Sequence, residues 1–294
     1  MTGYGYYPGC SLQGLGKGYD ESIRVVFSTL GIGLHEIEDW NCCGATAYST
    51  IDETAATALA ARNLALAERE GRDLVAPCAA CWMILTKTRK SLAADDELRA
   101  TVAGALESEA GLTFTGTSAV RHPLEILADD FGADALAARV SSPLSGLRVA
   151  PYYGCQLVRP YAVFDDQRDP TTMDRLLEAA GCDVIPFPLK TACCGASPTM
   201  VMPDIGLDPV DRIVSEAAAR GADLVAVACP VCQFNLAAYQ GDARKRHDRD
   251  YELPILYFTQ VIGMALGIPE KDLGIRRSLI RPDALYAAMS GGGS

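Results

Sequence analysis

The chain has 294 residues, of which 49% are hydrophobic and 21% charged, and it carries a formal net charge of −11. That composition supports a folded core and excludes intrinsic disorder, and the acidic balance excludes nucleic acid as a partner, which needs a basic footprint. No basic n-region precedes an apolar core at the N-terminus, and no apolar stretch reaches the roughly 18 residues of a spanning helix (residues 261–268 come nearest), so a soluble cytoplasmic protein without a transmembrane segment is expected.

In chain order, residues 3–7 read as a short strand running towards Cys10. Ile23, Val26, Phe27 and Leu30 recur at helical spacing over residues 20–30, and Gly31 and Gly33 stop that helix. Residues 34–40 read as a strand that delivers Cys42 and Cys43 at its end. A helix over 55–70 stops at Gly71, a buried strand over 73–76 precedes Cys78, and a helix follows over 82–92.

The second half repeats this order. Residues 147–153 read as a strand, 171–180 as a helix ended by Gly181, and 183–187 as a strand leading to Cys193. A helix over 209–220 ended by Gly221, a strand over 224–228 and a helix over 231–239 complete the set. Each half closes on a similar segment, residues 120–125 and 256–260. The Ser/Pro/Gly stretch at 141–146 marks the boundary between two expected domains, 1–144 and 145–294, and residues 290–294 read as a flexible tail.

Strands alternating with helices imply an α/β fold: two pseudo-symmetric repeats, each a small parallel sheet flanked by helices. The cysteines fall at the C-terminal ends of strands or the starts of helices, where open α/β sheets place ligand sites and where free N–H groups stabilise anions. Gly44 and Gly195 are expected to allow close backbone approach there.

The repeat is clearest in the cysteines. Cys42-Cys43-Gly44 and Cys193-Cys194-Gly195 are each followed by a Cys-x-x-Cys, Cys78 with Cys81 and Cys229 with Cys232. The interval is 35 positions both times, from 43 to 78 and from 194 to 229. Cys10 and Cys155 lie upstream in matching Tyr-rich contexts. Ten of the eleven cysteines thus form two copies of a five-cysteine site.

Disulfides do not suit a reducing compartment, and adjacent cysteines bridge only with strain. Zinc wants four ligands where each copy offers five, which leaves it as the minor alternative in one of the sites. A thioredoxin-type Cys-x-x-Cys ignores three cysteines per copy, and a cubane cluster needs only four ligands. Five per site points to something larger or more open than a cubane.

The doubled motif, Cys-x31-Cys-Cys-Gly-x33-Cys-x-x-Cys and then Cys-x37-Cys-Cys-Gly-x33-Cys-x-x-Cys, resembles the tandem cysteine-rich CCG domains of the B-type subunit of heterodisulfide reductase, over nearly the whole chain. The resemblance implies two noncubane [4Fe–4S] clusters, one held by Cys10, Cys42, Cys43, Cys78 and Cys81, the other by Cys155, Cys193, Cys194, Cys229 and Cys232. It implies an oxidoreductase acting on sulfur groups, in which the clusters face each other across a disulfide and electrons arrive singly, with no catalytic residue beyond the ligands. The substrate would be the disulfide of coenzymes M and B or a related small or protein-bound sulfur compound, reduced or formed. The implied partners are a ferredoxin-like iron–sulfur protein, the C-type component of such complexes, and a flavoprotein, their A-type component. The alternative is an electron-transfer or docking module of a dehydrogenase or of a sulfur-oxidising complex, since similar CCG domains occur there.

Weaker signals have plainer readings. Gly14 to Gly18 fits no nucleotide loop and is expected to wrap the Cys10 site. Cys182 matches Ile32 in the first half and reads as a small buried apolar residue. His35, His122 and His247 are too scattered for a metal site, and His122 reads as structural. Tyr6, Tyr7, Tyr152 and Tyr153 are expected to pack around the cysteine sites, and Arg121 and Arg159 to form surface salt bridges.

Overall fold

Both halves build the same four-stranded parallel sheet, and a computed structural model describes residues 3–45 and 50–283. The first half runs β1 (Tyr4–Tyr6), α1 (Gly9–Gln13), α2 (Lys17–Leu30), β2 (Leu34–Glu36), α3 (Glu53–Arg69), β3 (Leu74–Val75), α4 (Ala79–Ala94), α5 (Asp96–Ala110), β4 (Val120–Arg121) and α6 (Pro123–Glu125). A π-helical turn at Ile126–Phe131 and α7 (Ala133–Ala137) lead out of it. The second half runs β5 (Arg148–Tyr152), α8 (Thr172–Ala179), β6 (Asp183–Val184), α9 (Ala196–Val201), α10 (Pro203–Ala219), β7 (Leu224–Val227), α11 (Pro230–Ala238), α12 (Gln240–His247), β8 (Ile255–Tyr257) and α13 (Phe258–Ala265).

The first sheet has the order β2-β1-β3-β4 and the second β6-β5-β7-β8, every neighbouring pair parallel. In each, the chain leaves the first strand to one side and then crosses to the other. The resulting crevices, between β1 and β3 and between β5 and β7, are the places where such sheets bind ligands. β2 and β6 are shorter than their sequences predict, so Cys42–Cys43 and Cys193–Cys194 sit on irregular segments well past the strand ends. The segments ending each half, 120–125 and 256–260, supply β4 and β8 and the helix starts that follow them.

Local chemistry explains the helices. α2 buries Tyr19, Ile23, Val26, Phe27 and Leu30 on one face, and left-handed Gly31 ends it. Asp52 caps α3 by accepting from the Ala55 N–H at 2.9 Å, and Asp95 caps α5 by accepting from Leu98 at 2.9 Å.

The halves interlock. α13 packs on α2: Tyr19 stacks on Tyr257 with ring centroids 4.3 Å apart and planes 1° from parallel, and Ser22 and Thr259 hydroxyls meet at 2.7 Å. Glu21 takes both a 2.9 and a 2.8 Å hydrogen bond from Arg277. The stretch at 141–146 is tied down as well, with the Ser141 and Ser142 N–H groups donating to the Ala265 carbonyl at 3.0 and 2.9 Å. Gly14 to Gly18 also serves the junction: a Cβ on Gly16 would lie 2.8 Å from Pro230, and one on Gly18 2.9 Å from the Gly274 carbonyl. The segment is the turn after α1 and the start of α2, packed against the other half. Among the described residues no helix is long and apolar enough to cross a membrane; residues 261–268 belong to buried α13 and its C-terminal turn. The 290–294 tail lies outside the described residues.

Candidate functional site

All ten repeat cysteines converge at the C-terminal ends of the sheets. Cys10 lies in α1, Cys78 and Cys229 are the N-caps of α4 and α11, and Cys81 and Cys232 lie in the first turns of those helices. Cys43 and Cys81 hydrogen-bond at 3.1 Å, and side-chain contacts link Cys10 to Cys42, Cys42 to Cys43 and Cys81 to Cys78. The second half repeats the sequence of contacts: Cys155 to Cys193, Cys193 to Cys194, Cys194 to Cys232 and Cys232 to Cys229. Cys78 and Cys229 then come into side-chain contact with each other across the junction. The same succession of contacts runs through both five-cysteine sets, which meet at Cys78 and Cys229.

The backbone is arranged to carry negative charge on these sulfurs. The Gly44 and Ala45 N–H groups donate to Cys42 and Cys43, and the Gly195 and Ala196 N–H groups donate to Cys193 and Cys194, the Gly195 bond measuring 3.5 Å. Hydrogen bonds from Cys155 and Cys194, with Gly195 and the Arg159 charge, bring the Cys193 thiol down to about 2. Cys81 and the Ala45 N–H bring Cys43 to about 7 against the pull of burial. Hydrogen bonds from Cys232 and then Cys78 hold Cys229 well below the ordinary thiol value, and the same contact raises Cys78. Thiolates are the metal-binding form of cysteine.

Tyr7 and Tyr152 occupy the same place three residues before Cys10 and Cys155. Each is fully buried and donates its hydroxyl to the carbonyl just before the Cys-Cys pair, Tyr7 to Asn41 at 2.8 Å and Tyr152 to Ala192 at 2.6 Å. Tyr6 and Tyr153 turn instead to Asp20 (2.9 Å) and Asp174 (2.5 Å), in the scaffold. Two buried asparagines that the sequence did not single out brace the same loops: Asn63 Oδ1 accepts from the Asn41 N–H at 3.0 Å, and Asn235 donates to the Cys194 carbonyl at 2.8 Å. Buried polar residues on amphipathic helices were the available signal, since such groups need partners.

The remaining expectations resolve simply. Cys182 and Ile32 are both buried, and burial pushes the Cys182 thiol up to about 12. Arg121 forms the expected ion pairs, with Glu125 at 2.5 Å and Asp130 at 2.9 Å, whereas Arg159 departs from expectation and donates to the Thr191 carbonyl at 2.6 Å. His247 contacts Asp208 at 3.1 Å and His35 lies on exposed β2, so the histidines form no cluster. Gly44 and Gly195 are needed for positive φ, +80° and +82°; the close approach at Gly195 is to α10, at 3.0 Å from the Gly206 carbonyl, and not to a cysteine.

The donor set fits an iron–sulfur group. A Cβ on Gly9 or Gly154 would lie 3.3 Å from Cys81 Sγ or 3.2 Å from Cys232 Sγ, so both crevices are kept open beside their sulfurs. Trp82, fully buried directly after Cys81, leaves its indole N–H without an acceptor, and Thr86 one turn on leaves its hydroxyl unpaired. Among the described residues no three His, Cys, Asp or Glu side chains surround the point a single metal ion would take. Five sulfurs per set suit the separate atoms of one extended group better than one four-coordinate ion.

A model of the cysteine-rich domain CCG matches residues 4–86 and 149–237, one copy in each half. The chain is 34% identical to the 8-methylmenaquinol:fumarate reductase membrane anchor subunit of Wolinella succinogenes, over 94% of this chain and 96% of that protein. It is 29% identical to the B-type subunit of the ferredoxin:CoB-CoM heterodisulfide reductase of Methanosarcina mazei, over 96% of this chain and 95% of the relative. A crystal structure of a hypothetical protein from Helicobacter pylori shares the fold with a TM-score of 0.79 at 16% identity, covering 95% of this chain and 52% of that one.

Proposed function

The chain belongs to the cysteine-rich CCG family, with the domain present in both halves, and on that premise we propose that it is the iron–sulfur subunit of a heterodisulfide-reductase-like complex that cleaves or forms a disulfide. The observation that carries this reading is the meeting of the two five-cysteine sites at Cys78 and Cys229. Cleaving a disulfide takes two electrons, and two one-electron centres at one place supply them without a flavin in this chain.

In this reading Cys10, Cys42, Cys43, Cys78 and Cys81 hold one [4Fe–4S] cluster of the noncubane type, and Cys155, Cys193, Cys194, Cys229 and Cys232 hold the other. When bound, the clusters supply single electrons and iron sites for the substrate sulfurs. The protein does the rest. Buried Tyr7, Tyr152, Trp82 and Tyr257 exclude water from the junction, and the N–H groups after each Cys-Cys pair steady the thiolates. Electrons come from a ferredoxin-like protein and ultimately a flavoprotein, and the substrate is the coenzyme M–coenzyme B disulfide or a related sulfur compound. The test is anaerobic purification with iron and acid-labile sulfide counted per chain, EPR of the oxidised form, and turnover of low-molecular-weight disulfides. Full turnover by Cys43→Ala and Cys194→Ala chains that have each lost a cluster would sink the proposal.

One observation favours a second reading, an electron-transfer protein docked at a membrane. Met200, Val201, Met202 and Ile205 are exposed together just after Cys194 and Gly195, with Met200 80% exposed. A relative of this chain is named as a membrane anchor subunit. Binding of the purified protein to lipid vesicles, lost on replacing Met200 and Met202 by Ser, would move this reading ahead.

A further inference from the structure

We propose that His122 is a positioning residue that holds the two cysteine sites in register with each other. The side chain is fully buried. Its Nδ1 accepts from the Leu124 N–H at 3.1 Å, which places the ring proton on Nε2. That nitrogen donates to the Pro77 carbonyl at 3.0 Å and also reaches the Ala228 carbonyl. Pro77 and Ala228 are the residues just before Cys78 and Cys229. One imidazole N–H therefore pins, from a single point, the two backbone segments whose sulfurs meet at the junction.

The ring is itself held on every side. It caps α6 in a box closed by Glu125, which accepts from the His122 N–H at 3.2 Å and pairs with Arg121. Phe164 stacks 6.3 Å away at 8° and Phe258 lies 6.4 Å away, both from the second half. The equivalent residue of the second half, Tyr257, caps α13 through Gln260 in the same way. Its hydroxyl, however, donates to Gln233 at 3.4 Å within its own half. The repeat is thus broken at this position, where the first half supplies a bridge and the second does not.

The two nitrogens separate two roles, and substitutions can divide them. His122→Asn retains an acceptor for the Leu124 N–H but is too short to bridge; His122→Gln reaches the carbonyls but gives up the cap. The assay uses the full chain freed of metal and exposed to diamide, which takes up two electrons and two protons as two thiols become a disulfide. Mass spectrometry measures the Cys78–Cys229 crosslink against the Cys43–Cys81 crosslink as an internal reference. The ratio is expected to fall about tenfold in His122→Asn and to stay within about twofold of wild type in His122→Gln and Tyr257→Phe, because the bridge acts on the two segments that carry the sulfurs while the α2–α13 contacts hold the halves together in every variant. A wild-type ratio in His122→Asn, or an equal fall in His122→Gln or Tyr257→Phe, would overturn the proposal. The inference rests on the reading of the cysteines as two cluster sites only for its meaning. A wild-type chain that holds no iron would sink that reading and leave the crosslinking comparison standing.

Discussion

Cys78 and Cys229 are in side-chain contact where the two sets of five cysteines, one from each half, meet. Two buried thiols in contact titrate as a pair, so the proton between them belongs to the junction of the repeats rather than to either half. On either side of it the same contacts recur in the same order.

The symmetry predicts matched losses. Cys43→Ala and Cys194→Ala each remove a central link of one set, and each is expected to lower the iron content from about eight to about four atoms per chain. Iron analysis with EPR checks this: each variant should retain the signal of the untouched half.

Gly154→Ala is expected to act like a ligand substitution without touching a ligand. Gly154 has φ +72°, and an added Cβ would lie 3.2 Å from Cys232 Sγ. Left-handed backbone costs a non-glycine residue roughly 1–2 kcal/mol, and the methyl group presses on the sulfur besides. Reconstitution should fill the first site and leave about half the wild-type iron, whereas Gly71→Ala, with nothing within 4 Å of the added Cβ, should load normally.

Tyr152→Phe removes the donor to the Ala192 carbonyl and leaves that carbonyl unpaired near the core. Loss of roughly 1–2 kcal/mol is expected, and the same for Tyr7→Phe through Asn41. Urea unfolding of the metal-free chain measures both, and the two losses should add, since the residues serve different halves.

Acid should weaken the metal-free fold before its carboxylates titrate. Burial brings the His122 pKa from 6.5 to about 4 against its hydrogen bonds to Pro77 and Ala228. The unfolded chain therefore takes up a proton below pH 6.5 that the folded chain refuses until about pH 4. Stability is complete above the upper value and falls across that window by roughly 3 kcal/mol. Denaturation midpoints between pH 7 and about 4 check this, and His122→Gln should flatten the slope.

The α/β class, the repeat and the membership of the ten cysteines were all legible, because each rests on local pattern: periodicity for the strands and α2, fixed intervals for the cysteines. What escaped was long-range. α5 buries only Val102 and Leu106, so its periodicity is weak despite the Asp95 cap and the left-handed Gly111. His122 looked like an isolated structural histidine because its partners, Pro77 and Ala228, lie 45 and 106 positions away in the chain. The interlocking of α2 with α13 had no sequence signal at all, since an apolar face does not name what covers it.

That interlock sets an order of events during synthesis. α2 follows directly on the Cys10 turn, and its Tyr19 and Ser22 meet Tyr257 and Thr259. The face of α2 beside the first site is therefore covered only once residues 257–259 have been made. A chain stopped before Tyr257 should therefore expose the α2 face and load its first site less fully than the whole chain, whereas a bead-like tandem would have matured its leading copy unaided.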